Sequence, residues 1–157
     1  YQTTELQDMR FGEDTIIMGK KFANKFWNIS RYVLIKLGDG YEIEYKTSLE
    51  ELKNEVVAKM DATALLVTKH INEYKFGEAA HELYDFIWHE FADKYIEETK
   101  DKDDQEIKDT LAYLLLNCLK LLHPFMPFIT EEIYSILPLK DKKLLMVENW
   151  PWPVVQK

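Results

Sequence analysis

Large apolar side chains recur every three or four positions along this chain, in stretches that contain hardly any glycine or proline. In the first such stretch, residues 14–37, the recurring side chains are Phe22, Phe26, Ile29, Val33 and Leu37. This spacing puts them on one side of an α-helix. Only five glycines and five prolines occur in the 157 residues, whereas a β-sandwich or barrel needs frequent turns. The pattern therefore predicts an all-α fold.

The same pattern returns further along and predicts one domain, a bundle of about five helices. The predicted helices span residues 14–37, 48–74, 76–98, 105–122 and 127–137. Capping boxes, in which side chains three positions apart satisfy the first backbone N–H groups of a helix, are predicted to begin at Ser48 and at Asp103. Residues 1–12 and 144–157 are expected to be peripheral, the second as a short extended tail packed along the bundle.

Composition limits the kind of protein and its partners. The net charge is −8, which argues against non-specific adhesion to nucleic acid or to an anionic membrane, so any contact with RNA must be local. No apolar run is long enough to cross a membrane, and no secretory signal begins the chain. Cys118 lies in an apolar run and is expected in the core, which favours a reducing, cytoplasmic location. Because Tyr1 is not an initiator methionine, we expect a piece of a longer protein.

The polar side of the first helix carries side chains suited to single-stranded RNA. On a helical wheel, a narrow arc opposite the apolar stripe and its flank hold Lys21, Lys25, Asn28, Tyr32, Asn24 and Arg31. Lysine and arginine pair with phosphates, asparagine reaches the edges of unstacked bases, and an exposed tyrosine is a stacking platform. An ordinary solvated helix face is the alternative interpretation.

Local charge agrees with a basic surface on this helix. Residues 13–37 carry five Lys or Arg against two acidic residues, whereas residues 75–110 carry twelve acidic residues against five lysines. An acidic region that faces away from the RNA is expected to confine docking to the basic face by repulsion.

Candidate catalytic and metal-binding patterns are weak. Glu78 and His81 have the spacing of a di-iron ligand pair, but such a site needs a second copy, so His81 is expected on the helix surface. His123, before Pro124, is expected to close the fourth helix by bonding its last carbonyls. The sequence contains no phosphate-binding glycine loop, nucleophile elbow or Cys-x-x-Cys pair. We therefore expect no catalytic, metal or cofactor site in this chain.

Four segments resemble the C-terminal helical domain of class I aminoacyl-tRNA synthetases of the valine, isoleucine and leucine group. In chain order they are FANKFWNISRYVL (22–34), YDFIWHEFADKYIE (84–97), HPFMPFITEE (123–132) and WP (150–151). The isoleucine and leucine relatives share the helical plan but differ where this chain has Asn24-Lys25 and Trp27-Asn28. The resemblance therefore favours the valyl group.

The resemblance implies a domain that binds the anticodon stem and loop of a valine tRNA. It also implies a separate catalytic domain of the same polypeptide, which uses ATP and Mg²⁺ to activate valine and charge the tRNA. The signatures of that catalytic domain, H-I-G-H and K-M-S-K-S, do not occur here.

Carried over residue by residue, the resemblance places one set of side chains near the anticodon: Asn24, Lys25, Asn28, Arg31 and Tyr32. Tyr32, usually phenylalanine in this family, is expected to stack on an anticodon base, and Trp27 is expected in the core. Two alternatives remain, namely the same domain of an isoleucyl or leucyl enzyme and a helical protein-interaction module.

Overall fold

The computed structural model of the chain describes residues 13–43, 52 and 54–151, with side chains from residue 17 onward in the first of these ranges. The described residues form five helices, which we number α1 to α5. They are α1 (Glu13–Leu37), α2 (Glu55–Asn72), α3 (76–99), α4 (Gln105–Leu122) and α5 (Pro127–Ile136). A 3₁₀ turn follows at Leu145–Val147. Within these ranges the only β pairing is an isolated bridge between Ile43 and Leu139, so the predicted all-α bundle is confirmed.

The beginning of α2 differs from the prediction. Leu52 is not helical and α2 begins at Glu55, so the predicted start at residue 48 is wrong. Asn54 is the N-cap, and its side-chain oxygen accepts a hydrogen bond from the Val57 N–H at 3.0 Å. The same side chain donates to the hydroxyl of Thr110 in α4 at 3.0 Å. One asparagine therefore both starts α2 and fixes it to α4, while the capping box predicted at residues 48–51 lies outside the described residues.

The predicted cap of α4 is also wrong. The N-cap residue is Asp104, whose side chain makes no capping hydrogen bond. Asp103 instead forms an ion pair with Lys108 at 2.9 Å. Because this pair holds the Asp103 carboxylate, the predicted capping box of Asp103 and Glu106 does not form.

The core is one cluster to which all five helices contribute. Its centre is α4, which is apolar on almost every side and buries Thr110, Leu111, Ala112, Leu114, Leu115, Leu116, Cys118, Leu119, Leu121 and Leu122. A helix that is apolar all round is surrounded by other elements. Cys118 is fully buried with its sulfur 3.9 Å from that of Met60, as expected, and burial raises the pKa of its thiol.

α3 is not a uniform α-helix. It consists of an α-helical part (Phe76–Asp85), a π-helical part (Phe86–Ile96) and a last α-helical turn (Glu97–Thr99). A π-helix bonds residue i to residue i+5, is rare, and occurs mostly as a single turn inside an α-helix, frequently at a functional site. Trp88 and Asp93, five positions apart, both contact the same side chain of α1. The π-helical part therefore decides which residues α3 presents to α1.

The chain leaves α4 by a sharp break and enters α5 at Pro127, as predicted. His123 is the C-cap of α4, but its Nδ1 lies 2.9 Å from the hydroxyl of Thr130. The prediction that this imidazole bonds the helix carbonyls is therefore wrong, because α5 brings a closer partner. None of the described helices is both long and apolar enough to cross a lipid bilayer.

The segment after α5 packs on the bundle as far as it is described. Leu145 is buried, and its N–H donates to Glu131 at 2.9 Å. The indole N–H of Trp150 donates to the hydroxyl of Thr68 at 2.8 Å. Leu145 and Trp150 therefore contact the bundle, whereas Leu144, Met146 and Val147 are exposed, and residues 145–147 form a 3₁₀ turn where an extended segment was predicted.

Candidate nucleic-acid interface

α1 turns one continuous side toward solvent. We call it the open face of α1 and define it by six exposed residues: Lys20, Lys21, Asn24, Trp27, Asn28 and Arg31. It lies opposite Phe26 and Val33, which are fully buried, because positions three or four apart share a side of a helix. Among the described side chains, none forms an ion pair with Lys20, Lys21 or Arg31. The open face therefore presents three cations that no carboxylate in the described part of the chain neutralises.

Four of the six predicted site residues belong to the open face: Lys21, Asn24, Asn28 and Arg31. Lys25 and Tyr32 do not, because both are partly buried at the side of α1 that meets α3. The exposed side of α1 is therefore centred on Asn24, whereas the helical wheel predicted a polar side that included Lys25 and Tyr32.

Lys25 bridges α1 and the π-helical part of α3. Its Nζ donates to Oδ1 of Asp93 at 2.8 Å and lies 3.8 Å from the ring centroid of Trp88. Such a position over an aromatic face is a cation–π contact. The Lys25 side chain keeps 24% of its surface exposed. Lys25 is therefore already bound to two protein groups, yet part of it remains accessible.

Tyr32 is not the exposed aromatic that the sequence predicted. Its ring packs against the core, and its hydroxyl oxygen is buried with no hydrogen-bond partner among the described residues. Burial raises the pKa of Tyr32, as do Asp101 and Glu97 at the end of α3. Tyr32 is partly buried because α3 ends beside this part of α1. There the Lys36 Nζ donates a hydrogen bond to the Lys100 carbonyl at 3.0 Å.

Trp27 is the exposed aromatic on this helix. The prediction that it lies in the core is wrong, since 39% of its surface is exposed. The buried side of α1 is filled by Phe26, Ile29 and Val33, so position 27 points away from it. The spacing from Asn24 and to Arg31 is the signal that could have placed Trp27 on the polar side.

The acidic region does not lie opposite the basic helix. Asp93, within residues 75–110, is in direct contact with Lys25 of α1. The predicted separation of the two charge regions is therefore wrong where α1 meets α3. Among the described side chains, none of the carboxylates pairs with the three cations of the open face.

Other polar groups were candidates for a site. His81 is exposed, as predicted, and its Nε2 lies 3.3 Å from Asp85. A cleft of about 170 Å³ between the start of α2 and α3 is lined by residues that pair with each other, with Lys59 bonded to Glu55 at 2.9 Å and to Glu90 at 2.7 Å. In the described part of the chain, no three His, Cys, Asp or Glu residues are grouped to hold a metal ion.

The described residues form an all-α helical domain whose first helix presents cations and side-chain amides to solvent. Residues 53–156 match the sequence model of the anticodon-binding domain of tRNA ligases. This match covers more than half of the chain, and the chain belongs to that family.

Three of the similar proteins are valine–tRNA ligases of bacteria. The chain is 36% identical to the valine–tRNA ligase of Mycoplasma mycoides, over 94% of this chain and 18% of the relative. It is 40% identical to that of Carboxydothermus hydrogenoformans, over 93% of this chain and 17% of the relative. It is also 40% identical to that of Geobacillus stearothermophilus, over 96% of this chain and 18% of the relative. The chain therefore spans less than a fifth of these relatives, and the similarity extends beyond residues 53–156.

Proposed function

We propose that this chain binds the anticodon stem-loop of a valine tRNA through the open face of α1, as one part of a valine–tRNA ligase. Membership in the anticodon-binding family and the common name of the relatives support this proposal. The observation that carries it is the open face itself, with three cations, two asparagine amides and an exposed tryptophan in a chain of net charge −8.

Each residue type on this surface has a chemical task in the proposed complex. Lys21 and Arg31 bind phosphates, because neither has an acidic partner among the described side chains. Asn24 and Asn28 can each donate to and accept from the edge of an unstacked base. Trp27 provides the aromatic surface on which a base stacks.

The two partly buried residues contribute from the side of the open face. Tyr32 is half-buried and offers a base only the part of its side chain that remains exposed, and Lys25 likewise offers the exposed part of its side chain. In the proposed whole enzyme, a catalytic domain of the same polypeptide uses ATP and Mg²⁺ to charge the tRNA, while this chain needs no cofactor.

Titration of the 157-residue chain with RNA stem-loops at several salt concentrations tests the proposal. We expect the stem-loop with a valine anticodon to bind more tightly than one with an isoleucine anticodon or an unrelated one. If Lys20, Lys21 and Arg31 each neutralise a phosphate, the logarithm of the binding constant falls with the logarithm of salt concentration with a slope of about −2.

Two aromatic variants provide a matched comparison. Trp27→Ala is expected to cost about 1–3 kcal/mol of binding free energy, since that is the usual contribution of one stacked base. Phe128→Ala removes a ring that is 91% exposed on α5 and is expected to leave binding unchanged. Equal and salt-insensitive affinity for every stem-loop contradicts RNA binding and favours a protein-interaction module, whereas preference for the isoleucine anticodon changes the amino acid assigned.

A further inference from the structure

Lys25 differs from the cations of the open face because a carboxylate already neutralises it. We propose that Asp93 and Trp88 are positioning residues that hold the Lys25 ammonium group as a hydrogen-bond donor to the neutral edge of an anticodon base, and not as a phosphate partner. This inference rests on the proposed function and assigns the chemistry that one residue of the same site recognises.

The surroundings of Lys25 Nζ limit what it can bind. One N–H donates to Asp93 Oδ1 at 2.8 Å, and the ring of Trp88 covers another side at 3.8 Å. The Lys25 side chain is 24% exposed, and its hydrogen bond to Asp93 lies at an exposed position. An ammonium group has three N–H donors and no acceptor, so any further group that it binds must be an acceptor.

The charge of the pair decides between the two kinds of RNA acceptor. Lys25 and Asp93 together have no net charge, and a phosphate that reaches Lys25 must also approach the Asp93 carboxylate. Repulsion between these two anions offsets the attraction to the ammonium group. A carbonyl oxygen or ring nitrogen of a base accepts a hydrogen bond without adding a charge. The neutral acceptor is therefore favoured at this position.

Trp88 is itself held in place by other rings, so it limits the movement of the Lys25 ammonium group that lies over it. Its ring stacks on Tyr84 with centroids 5.3 Å apart, and Tyr84 contacts Phe22 at 5.4 Å. Phe22 lies parallel to the fully buried Phe26 at 6.4 Å. We call these four rings the aromatic row. A donor fixed in this way loses little freedom on binding, and such preorganisation favours selective recognition.

The experiment measures salt dependence and base discrimination for a set of variants. The RNAs are the stem-loop with a valine anticodon and versions in which each anticodon base is replaced in turn. Lys25→Met is expected to reduce discrimination at one anticodon position about tenfold and to leave the salt slope unchanged. Asp93→Asn is expected to free the ammonium group for phosphate, so that the slope steepens by about 0.7 and discrimination at that position falls.

Four further variants show whether the effects depend on Lys25. In the background of Lys25→Met, Asp93→Asn is expected to leave the slope unchanged. Trp88→Phe keeps a ring under the ammonium group and is expected to retain more discrimination than Trp88→Leu. The matched control is Asp85→Asn, because Asp85 also lies on α3, is 50% exposed against 53% for Asp93, and contacts His81 rather than Lys25. Asp85→Asn is expected to change neither the salt slope nor the discrimination between anticodon bases.

Three outcomes overturn the inference. If Lys25→Met makes the slope shallower by about 0.7 and weakens every stem-loop equally, Lys25 binds phosphate. If it lowers only the melting temperature and leaves binding unchanged, the Lys25–Asp93 pair is a structural link between α1 and α3. If the unaltered chain binds no stem-loop in a salt-dependent way, the proposed function itself fails, and this inference fails with it.

Discussion

Trp150 donates its indole N–H to the hydroxyl of Thr68 at 2.8 Å, although 82 positions separate the two residues. The same hydroxyl donates to the Ala64 carbonyl at 2.7 Å. Thr68→Val keeps the side-chain shape but leaves the indole without its acceptor. We therefore expect the free energy of unfolding, measured in urea, to fall by about 1–3 kcal/mol.

The control for this variant is Ser135→Ala. The hydroxyl of Ser135 also donates to a backbone carbonyl, that of Glu132 at 2.7 Å, but it is exposed. Its removal is expected to change the free energy of unfolding by no more than about 0.5 kcal/mol. If Thr68→Val costs no more than this, the hydrogen bond does not hold the tail to α2.

The hydroxyl groups of Tyr32 and Tyr113 differ in their hydrogen-bond partners, so we expect their removal to have different effects on stability. The buried hydroxyl of Tyr32 has no partner among the described residues, whereas that of Tyr113 donates to the carboxylate of Asp61. Tyr32→Phe is expected to leave the free energy of unfolding unchanged or raise it by about 1 kcal/mol, because an unsatisfied polar group is removed. Tyr113→Phe is expected to lower it by about 1.5–3 kcal/mol. Equal effects in urea unfolding contradict this distinction.

The stability of the domain is expected to decrease at alkaline pH partly because of Tyr113. Burial raises the pKa of Tyr113, and its hydrogen bond to Asp61 raises it further, from an ordinary value of 10.0. Below that value both the folded and the unfolded chain keep the phenolic proton, so the contribution to stability is complete. Above it the unfolded chain loses the proton first, and the contribution falls by about 1.4 kcal/mol per pH unit.

The comparison of the unaltered chain with Tyr113→Phe isolates this effect from other titrating groups. We expect the difference in their free energies of unfolding to shrink as the pH rises above 10.0, the ordinary tyrosine value. A difference that stays constant over that range contradicts the raised pKa.

Phe26 and Trp27 are neighbours in sequence that face opposite sides of α1, so their substitutions are expected to affect different properties. Phe26 is fully buried, and Phe26→Ala is expected to lower the free energy of unfolding by about 3–5 kcal/mol. Trp27→Ala is expected to cost much less stability and to weaken RNA binding. A large loss of stability for both variants, measured in urea, contradicts the placement of Trp27 on the open face.

The sequence predicted the fold well wherever strong breaks enclose an apolar repeat. The bounds of α4 agree with the prediction because a polar stretch precedes Gln105 and Pro124 follows its last turn. The start of α2 was missed because Asn54 is fixed by Thr110, a residue distant in sequence. The π-helical part of α3 was also missed, since its residues 86–96 keep a spacing that fits an α-helix.

The exposure of the candidate site residues was predicted in part for a similar reason. A helical wheel contains one helix, and it placed Lys21, Asn24, Asn28 and Arg31 on the polar side of α1, where all four are exposed. Lys25 and Tyr32 lie where α3 covers the edge of α1, and that neighbour does not enter a wheel. Long-range packing therefore decided which predicted residues are fully exposed.

The aromatic row has a mechanical consequence. It begins at the edge of the proposed RNA surface, beneath Lys25, and ends at Phe26 inside the bundle. Packed protein interiors resist compression and transmit strain. A force that a bound molecule exerts on Lys25 is therefore transmitted through the rings of α3 and α1 to the packed interior of the bundle.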